Sequence, residues 1–393
     1  MKKIVLALIL LVHLFACAHA PVTKPEDALE SISWWRAVAP RDDREFKGLA
    51  DAVRQSLEYY RKLPSETQFS LGPERVAALD MIVTLQNFLL IIENDSLSYD
   101  QKGEQIRKDF VLYRSVGSNG SGRVLFTGYY EPVLACRLNA DDVHKYPLYQ
   151  RPEDIIEIDL TLFGNGFPRN KIFGRLDNKK VIPYYTREEI DHRQAIANKG
   201  MEILWCKEPV DIYFLQIQGS GKADLGDGNI ISVLYDGQNG RPYRSIGKYL
   251  IETGALPKDK MSMQAIRDYL REHPDRLFEI LNQNPSYVFF RMDMGPSVGN
   301  IGVPLTPGRS IATDSKLFPK GAIGIIHTEK PVIENNAIKE WKPFTRFVLN
   351  QDTGGAIKGP GRVDLFWGQG PEAEIAAGYM QQEGELYFLF RKK

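Results

Sequence analysis

From Val124 to its end the chain is written in short apolar and aromatic runs punctuated by glycine and proline. VLFTGYYEPVL, RPEDIIEIDL, KKVIPYYT and VDIYFLQIQGSG each read as a strand with a turn beside it. After NPSYVFFR come IATDSK, AIGIIHTE, FTRFVLNQD, RVDLFWGQ and ELYFLF as further strands. Runs of this kind bounded by turn formers signal β-structure. So many short strands in an open sheet would leave unpaired edges, and closure into a small barrel removes them. Two helical patterns interrupt the β texture, about Ser245 to Thr253, stopped by Gly254, and about Ser262 to Glu272. Thr186-Arg-Glu-Glu189 has the capping-box spacing that opens a short helix.

The region from Pro21 to about Ser115 is patterned differently. Phe46, Leu49, Ala50, Val53, Leu57 and Tyr60 recur at helical spacing, with Pro64 beyond the end. A second helix is predicted from near Pro73 through Val76, Leu79, Ile82, Val83 and Leu90, and a third around Ile106 and Phe110. The fold class is therefore mainly β with N-terminal α-helices.

The first twenty residues, MKKIVLALILLVHLFACAHA, form a secretory leader: two lysines, an apolar run, then small residues. Two processing sites compete. Leu14-Phe15-Ala16-Cys17 resembles a bacterial lipobox, which would make Cys17 an acylated first residue, and Ala18-His19-Ala20 fits ordinary secretion. Either places the protein outside the cytoplasm.

Composition narrows the function. The 393 residues carry 50 Lys+Arg and 50 Asp+Glu, and loss of Lys2 and Lys3 with the leader leaves a formal charge of −2. A general nucleic-acid binder needs a basic excess, so that class is excluded. Three cysteines with no Cys-x-x-Cys, and six scattered histidines with no HExxH, predict no metal centre. Cys136 and Cys206 either pair or remain thiols, which their spacing does not decide. GSNGSG at 117–122 lacks a surrounding βαβ unit and reads as a loop; GSGK at 219–222 lacks P-loop spacing; DLGDGN at 224–229 reads as a hairpin turn. No nucleotide or other cofactor is expected.

The informative stretch is residues 351–378, where Asp352 and Asp364 flank a glycine-rich loop. Aspartate is disfavoured inside strands, yet Asp364 stands between Val363 and Leu365-Phe366-Trp367. Apolar surroundings destabilise a carboxylate and favour a neutral acid, which suits protonation of a glycosidic oxygen beside sugar-stacking rings. An edge-strand aspartate facing water is the plainer reading. Asp352-Thr353-Gly354 also matches half of an aspartic-protease pair, but a second D-T-G is missing.

The ordered motifs FTGYYEPV (126–133), QIQGSG (216–221), DLGDG (224–228), YRSIGKYLI (243–251), MSMQAIRDY (261–269), NPSYVFFR (284–291) and DTGGAIKGPGRVDLFWGQGPEA (352–373) resemble the MltA-type membrane-bound lytic murein transglycosylases of Gram-negative bacteria. The resemblance covers about Phe126 to Phe390. It implies a double-psi β-barrel formed by residues 18–130 plus 295–393 with a helical layer, and a smaller β-rich domain inserted at 131–294. A groove between them would hold the glycan. It further implies non-hydrolytic cleavage of peptidoglycan between N-acetylmuramic acid and N-acetylglucosamine, from chain ends, leaving 1,6-anhydromuramoyl products. The family's C-terminal "3D" module is named for three aspartates, here Asp314, Asp352 and Asp364, and its catalytic acid corresponds to Asp364. Asp352 and Asp314 would support it, more by holding turns than by chemistry. Tyr129, Tyr130, Gln216, Gln218, Gly219 and Trp367 are groove candidates, since amides and aromatic rings bind sugars. GPGR at 359–362 departs from the family pattern. The implied partners are glycan strands, a membrane reached through a lipid on Cys17 at the periplasmic face of the outer membrane, and cell-wall synthases. A non-catalytic glycan-binding barrel is the alternative.

Overall fold

A computed structural model describes residues 22–164, 166–167, 171–296 and 298–392. Cys17, with the leader, lies outside the described residues. Six strands close on themselves: β1 (Val124–Glu131), β2 (Ser310–Ala312), β3 (Ile323–Glu334), β4 (Ala337–Asp352), β5 (Arg362–Gln369) and β6 (Gln381–Arg391). Their order round the barrel is β1, β5, β2, β4, β3, β6 and back to β1. The β1–β5 and β2–β4 pairs are parallel, and the other four are antiparallel. The closed barrel expected from the many short strands is present, and its edges are consumed by closure. The far end of β6 continues beyond the barrel onto the strand Phe110–Ser115, which pairs with Leu29–Ile32.

Phe126, Ile325, Phe347, Leu365 and Phe388 fill one core, completed from outside by Val53 and Leu57 of the helix Leu49–Arg61 and by Leu85 and Phe88 of the helix Ala78–Ile92. Arg309 locks this layer down. It is wholly buried and donates to both oxygens of the equally buried Asp42, to the Lys47 carbonyl and to the Phe347 carbonyl. A buried ion pair is tolerated only when its remaining donors and acceptors are also met. Here Asp42 additionally accepts the backbone N–H groups of Arg44, Phe46 and Phe347.

A second six-stranded sheet lies between β1 and β2 in the chain. Its order is Val288–Asp293, Ile230–Gln238, Ser220–Asp224, Val133–Arg137, Glu202–Cys206 and Tyr146–Tyr149. Cys136 and Cys206 face each other on adjacent antiparallel strands and are joined by a disulfide. DLGDGN turns the hairpin between Ser220–Asp224 and Ile230–Gln238.

Three sequence expectations are corrected. VDIYFLQIQ is the helix Pro209–Gln218 rather than a strand. Pro209 supplies a helix-ready first turn, Gly219 ends it at φ +87°, and Ile212 through Gln216 are all buried, so no polar face reveals the period. Pro73 does not begin the second helix: it follows Gly72 (φ +59°) in the turn of a hairpin, Gln68–Leu71 with Glu74–Ala77. The helix starts at Ala78, where the Asp80 carboxylate accepts the Ala77 N–H. Phe110, read as helical, opens a strand, because the helix Tyr99–Asp109 stops one residue earlier. Elsewhere Thr186 and Glu189 do exchange capping-box hydrogen bonds, around a single π-helical turn, Glu188–His192. Among the described residues no helix is long and apolar enough to cross a membrane.

Candidate active site

The short strand β2 is the reference. Its last residue, Ala312, is in register with Asp352 of parallel β4 on one side and with Asp364 of antiparallel β5 on the other. Two aspartates 12 residues apart in sequence are thus held on either side of one alanine by ladder hydrogen bonds. β5 also runs parallel to β1, with Asp364 opposite Thr127 and Phe366 opposite Tyr129. Strand alternation puts Arg362, Asp364 and Phe366 on one face. Tyr129 joins them, its ring 5.1 Å from that of Phe366.

The two carboxylates are treated very differently. Asp352 is saturated: Oδ1 accepts the N–H groups of Asn300 and Thr353, each at 2.9 Å, and Oδ2 accepts the Tyr129 hydroxyl at 3.0 Å. Burial raises its pKa while these three donors pull the other way. Tyr129 itself is pushed well above the ordinary tyrosine range, by burial first and the Asp352 charge second, so it stays a neutral donor. Asp364 is left bare. Its side chain is only 19% exposed, and its buried Oδ1 has no hydrogen-bond partner among the described residues. Arg362 Nε, also buried and without a hydrogen-bond partner among the described residues, lies 3.9 Å from it, beyond hydrogen-bond distance. Burial drives the Asp364 carboxyl up to about 6, the Asp352 charge adds to this, and Arg362 opposes it. The result is an acid substantially protonated in mildly acidic surroundings and able to release its proton near neutrality.

Asp314 is buried but spent on the backbone. It lies in the turn after β2, not in a strand as IATDSK suggests; Oδ1 accepts the Lys316 N–H and Oδ2 the Gly359 N–H at 2.8 Å. That second bond holds the glycine-rich loop leading into β5. The same loop is fixed by Ser115 Oγ donating to the Pro360 carbonyl and by Leu125 N–H donating to that of Gly361. Gly361 is required because a Cβ there would meet Ser118 Oγ at 1.9 Å. GPGR, which departs from the family pattern, and GSNGSG, read from sequence as a loop, are therefore packed against each other.

The other groove candidates divide. Tyr130 faces away from Asp364, buried with Ala373, Ala377 and Trp367. Trp367 shares that opposite face: a Cβ on Gly128 would come within 2.7 Å of its indole, whose Nε1 is buried without a hydrogen-bond partner. Gln218 accepts the Tyr130 N–H at 3.2 Å, and Gly219 caps the helix Pro209–Gln218 in left-handed conformation. Gln216 accepts from the buried Arg187. Of the sequence candidates, Tyr129, Asp352 and Asp364 are brought together, Tyr130 and Trp367 pack on the opposite face with Gln218 bonded to the Tyr130 N–H, and Gln216 and Gly219 serve the helix Pro209–Gln218 and its contact with Arg187. Sequence reasoning passed over three groups: Arg362, the Asn300 backbone N–H, and Tyr243. Tyr243 lies in the loop after the strand Ile230–Gln238, is 47% exposed, and is close enough to Arg362 for that charge to oppose the rise that burial causes in its pKa. Its presence at the head of YRSIGKYLI was the available signal.

Comparison with known proteins agrees with this architecture. Residues 125–291 match the MltA specific insert domain and residues 309–390 the 3D domain. The membrane-bound lytic murein transglycosylase A of Vibrio cholerae is 33% identical over 276 residues, 70% of this chain and 67% of that protein. The crystal structure of a membrane-bound lytic murein transglycosylase from Agrobacterium tumefaciens superposes with a TM-score of 0.76 at 30% identity, covering 93% of this chain and 98% of the other. That of Escherichia coli MltA with bound chitohexaose gives 0.69 at 27% identity, over 95% and 96%. The chain belongs to the MltA family of lytic murein transglycosylases.

Proposed function

We propose that this protein cleaves the β-1,4 bond between N-acetylmuramic acid and N-acetylglucosamine in peptidoglycan with Asp364 as its only catalytic carboxyl. The supporting observation is the contrast at Ala312: Asp352 is occupied by three donors, whereas Asp364 is buried, raised to about 6 and bare. Hydrolytic glycosidases require a second carboxylate as base or nucleophile. Here the second one is engaged, which suits a reaction without attacking water. Asp364 gives its proton to the glycosidic oxygen. The carboxylate then formed takes the proton of the muramoyl C6 hydroxyl, and that oxygen closes the 1,6-anhydro ring on the anomeric carbon. Such acid–base steps contribute roughly 10²–10⁴-fold each, with positioning of the polymer supplying much of the rest.

In this reading Asp352 and Tyr129 hold the wall beside the acid, and Asp314 holds the loop that delivers β5. Tyr243 presents an aromatic face to a sugar ring. The barrel is of double-psi type, residues 18–130 plus 295–393, with the insert at 131–294 forming the opposite wall of a glycan groove. Bound chitohexaose in the Escherichia coli relative supports a groove for β-1,4-linked amino sugars. Cys17 carries the lipid that tethers the enzyme to the periplasmic face of the outer membrane, where synthases supply its substrate; mass spectrometry of the mature N-terminus tests the tether.

The decisive experiment is muropeptide analysis of purified sacculi digested with wild-type protein and with Asp364→Asn. The wild type releases 1,6-anhydromuropeptides, and the variant, folded by circular dichroism, releases none. Reducing-end products would make the protein a hydrolase. Binding of sacculi without any shortening, by the wild type itself, would make it a glycan-binding barrel.

A further inference from the structure

Away from Asp364, a cavity of about 310 Å³ opens on the flank of the second sheet. It lies between the strands Tyr146–Tyr149 and Glu202–Cys206, the first turn of the helix Pro209–Gln218 and the helix Leu277–Leu281. Asp364, Asp352, Tyr129 and Phe366 are not among its walls. Its volume equals that of about ten waters of bulk liquid, the size of a dipeptide.

The walls carry charges of both signs among aromatic rings: Lys145, Arg187, Asp191 and Glu202 with Tyr149 and Trp205. Arg187 is rigidly built in. It is 2% exposed, donates to the carbonyls of Asn284 and Ser286 and to Gln216, and lies between the rings of Tyr213 and Tyr287 at 4.7 and 5.2 Å. These bonds use Nε and Nη2. The remaining Nη1 meets the Asp191 carboxylate at 3.6 Å, too far for a direct hydrogen bond. Lys145 stands exposed at the rim, its ammonium 5.6 Å from the Tyr146 ring.

A neutral sugar entering such a cavity would strip water from charges of both signs and replace it with nothing ionic, which is unfavourable. A zwitterion replaces both: its carboxylate meets Arg187 and Lys145, its ammonium meets Asp191, and its aliphatic part rests on Tyr149 and Trp205. We propose that this cavity binds the zwitterionic part of a peptide, namely the stem peptide carried by muramoyl residues of the glycan. The proposal rests on the peptidoglycan reading for the identity of the peptide. The helix Pro209–Gln218 spans the two sites, with its first turn in the cavity wall and Gln218 bonded to Tyr130 beside the catalytic strand. Ten residues of helix cover about 15 Å. An extended stem of four or five residues, at about 3.3 Å each, has the same reach.

The test is calorimetric or NMR titration of the mature chain carrying Asp364→Asn with the tetrapeptide N-acetyl-L-Ala-γ-D-Glu-meso-diaminopimelate-D-Ala, whose acetyl group stands for the lactyl amide of the glycan-linked stem and whose zwitterionic part is the diaminopimelate side chain. Because no turnover is involved, its outcome does not depend on whether Asp364 is the acid. Saturable binding is expected, weakened about ten-fold by Asp191→Asn, by Lys145→Met at the exposed rim, and by capping the free amine and carboxylate of the diaminopimelate side chain, since each change removes a charge-assisted contact. The Lys145 variant keeps the test valid if Asp191→Asn fails to fold. Absence of saturable binding, equal affinity of the doubly capped peptide, unchanged affinity in folded variants, or competition by chitohexaose would each overturn the proposal.

Discussion

If Asp364 is kept poised as a neutral acid by burial, its ionised form is a cost to the fold, and removing the charge should stabilise the protein. The ordinary aspartate value is 3.8, and the native value is about 6. A difference of about two pH units at about 1.4 kcal/mol each gives about 3 kcal/mol. The 19% exposure of the side chain and water reaching it reduce this, so about 1–3 kcal/mol is expected. The sign follows from proton uptake. Between pH 3.8 and about 6 the native state binds more protons than the unfolded chain, so stability falls as pH rises through that window. Above it the penalty is complete; below it the penalty vanishes.

Asp364→Asn keeps the shape and cannot ionise. It should therefore be more stable than wild type at pH 7.5 by a few degrees in Tm, and indistinguishable from it near pH 3.5. Paired melting curves from about pH 3.5 to 8 measure the difference, and contributions of every other titrating group cancel between the two proteins. An Asn variant less stable than wild type at pH 7.5 would refute the reasoning, as would a difference that does not change with pH. The first outcome would mean that Arg362, 3.9 Å away, compensates the charge fully.

With Asp364 as the proposed acid and its protonated form required, kcat/KM on sacculi should decline about ten-fold per pH unit above about 6, and a rate flat to pH 8 would contradict the assignment. Cys136 and Cys206 close a loop of 70 residues, so reduction, or the double Cys→Ser change, should cost about 4 kcal/mol, read as a lowered Tm under reductant. Asp42→Ala leaves Arg309 buried without its anion and should destabilise the fold by about 3–5 kcal/mol in urea unfolding.

What was legible in the sequence was local. The barrel strands announced themselves through apolar runs such as AIGIIHTE, FTRFVLNQD and ELYFLF, although three of them run on to 12, 16 and 11 residues, and Asp364 stood out as an acid where apolar residues flank it. The helix Pro209–Gln218 was hidden because it is buried on every side, so its period never surfaced. Trp367 was named for the groove because aromatic rings stack on sugars, yet strand neighbours point oppositely, and its indole lies against Gly128 on the face away from Asp364. The Asp42–Arg309 clamp joins residues 267 apart, and nothing in either neighbourhood signals the other. The disulfide was undecidable for the same reason: its geometry is a matter of strand register.

The site turns on a nonlocal fact of the same kind. Asp352 and Asp364 are chemically identical, and each lies on a barrel strand with apolar neighbours, Asp352 at the end of β4 and Asp364 inside β5. What separates them is which donors the fold brings. The Asn300 N–H comes from the chain before β2, the Tyr129 hydroxyl from β1, and both arrive at Asp352. Asp364, two strands away across Ala312, receives none among the described residues, and its cationic neighbour Arg362 stays beyond hydrogen-bond distance. Had Arg362 closed to hydrogen-bond distance, the pair would lower the carboxyl and leave a permanent anion, useless as a proton donor. Had a backbone N–H reached Oδ1, the proton would again be lost. An acid that must give up a proton and take one back within the same cycle needs both forms accessible, and this fold provides that by withholding partners from one aspartate while spending them on the other.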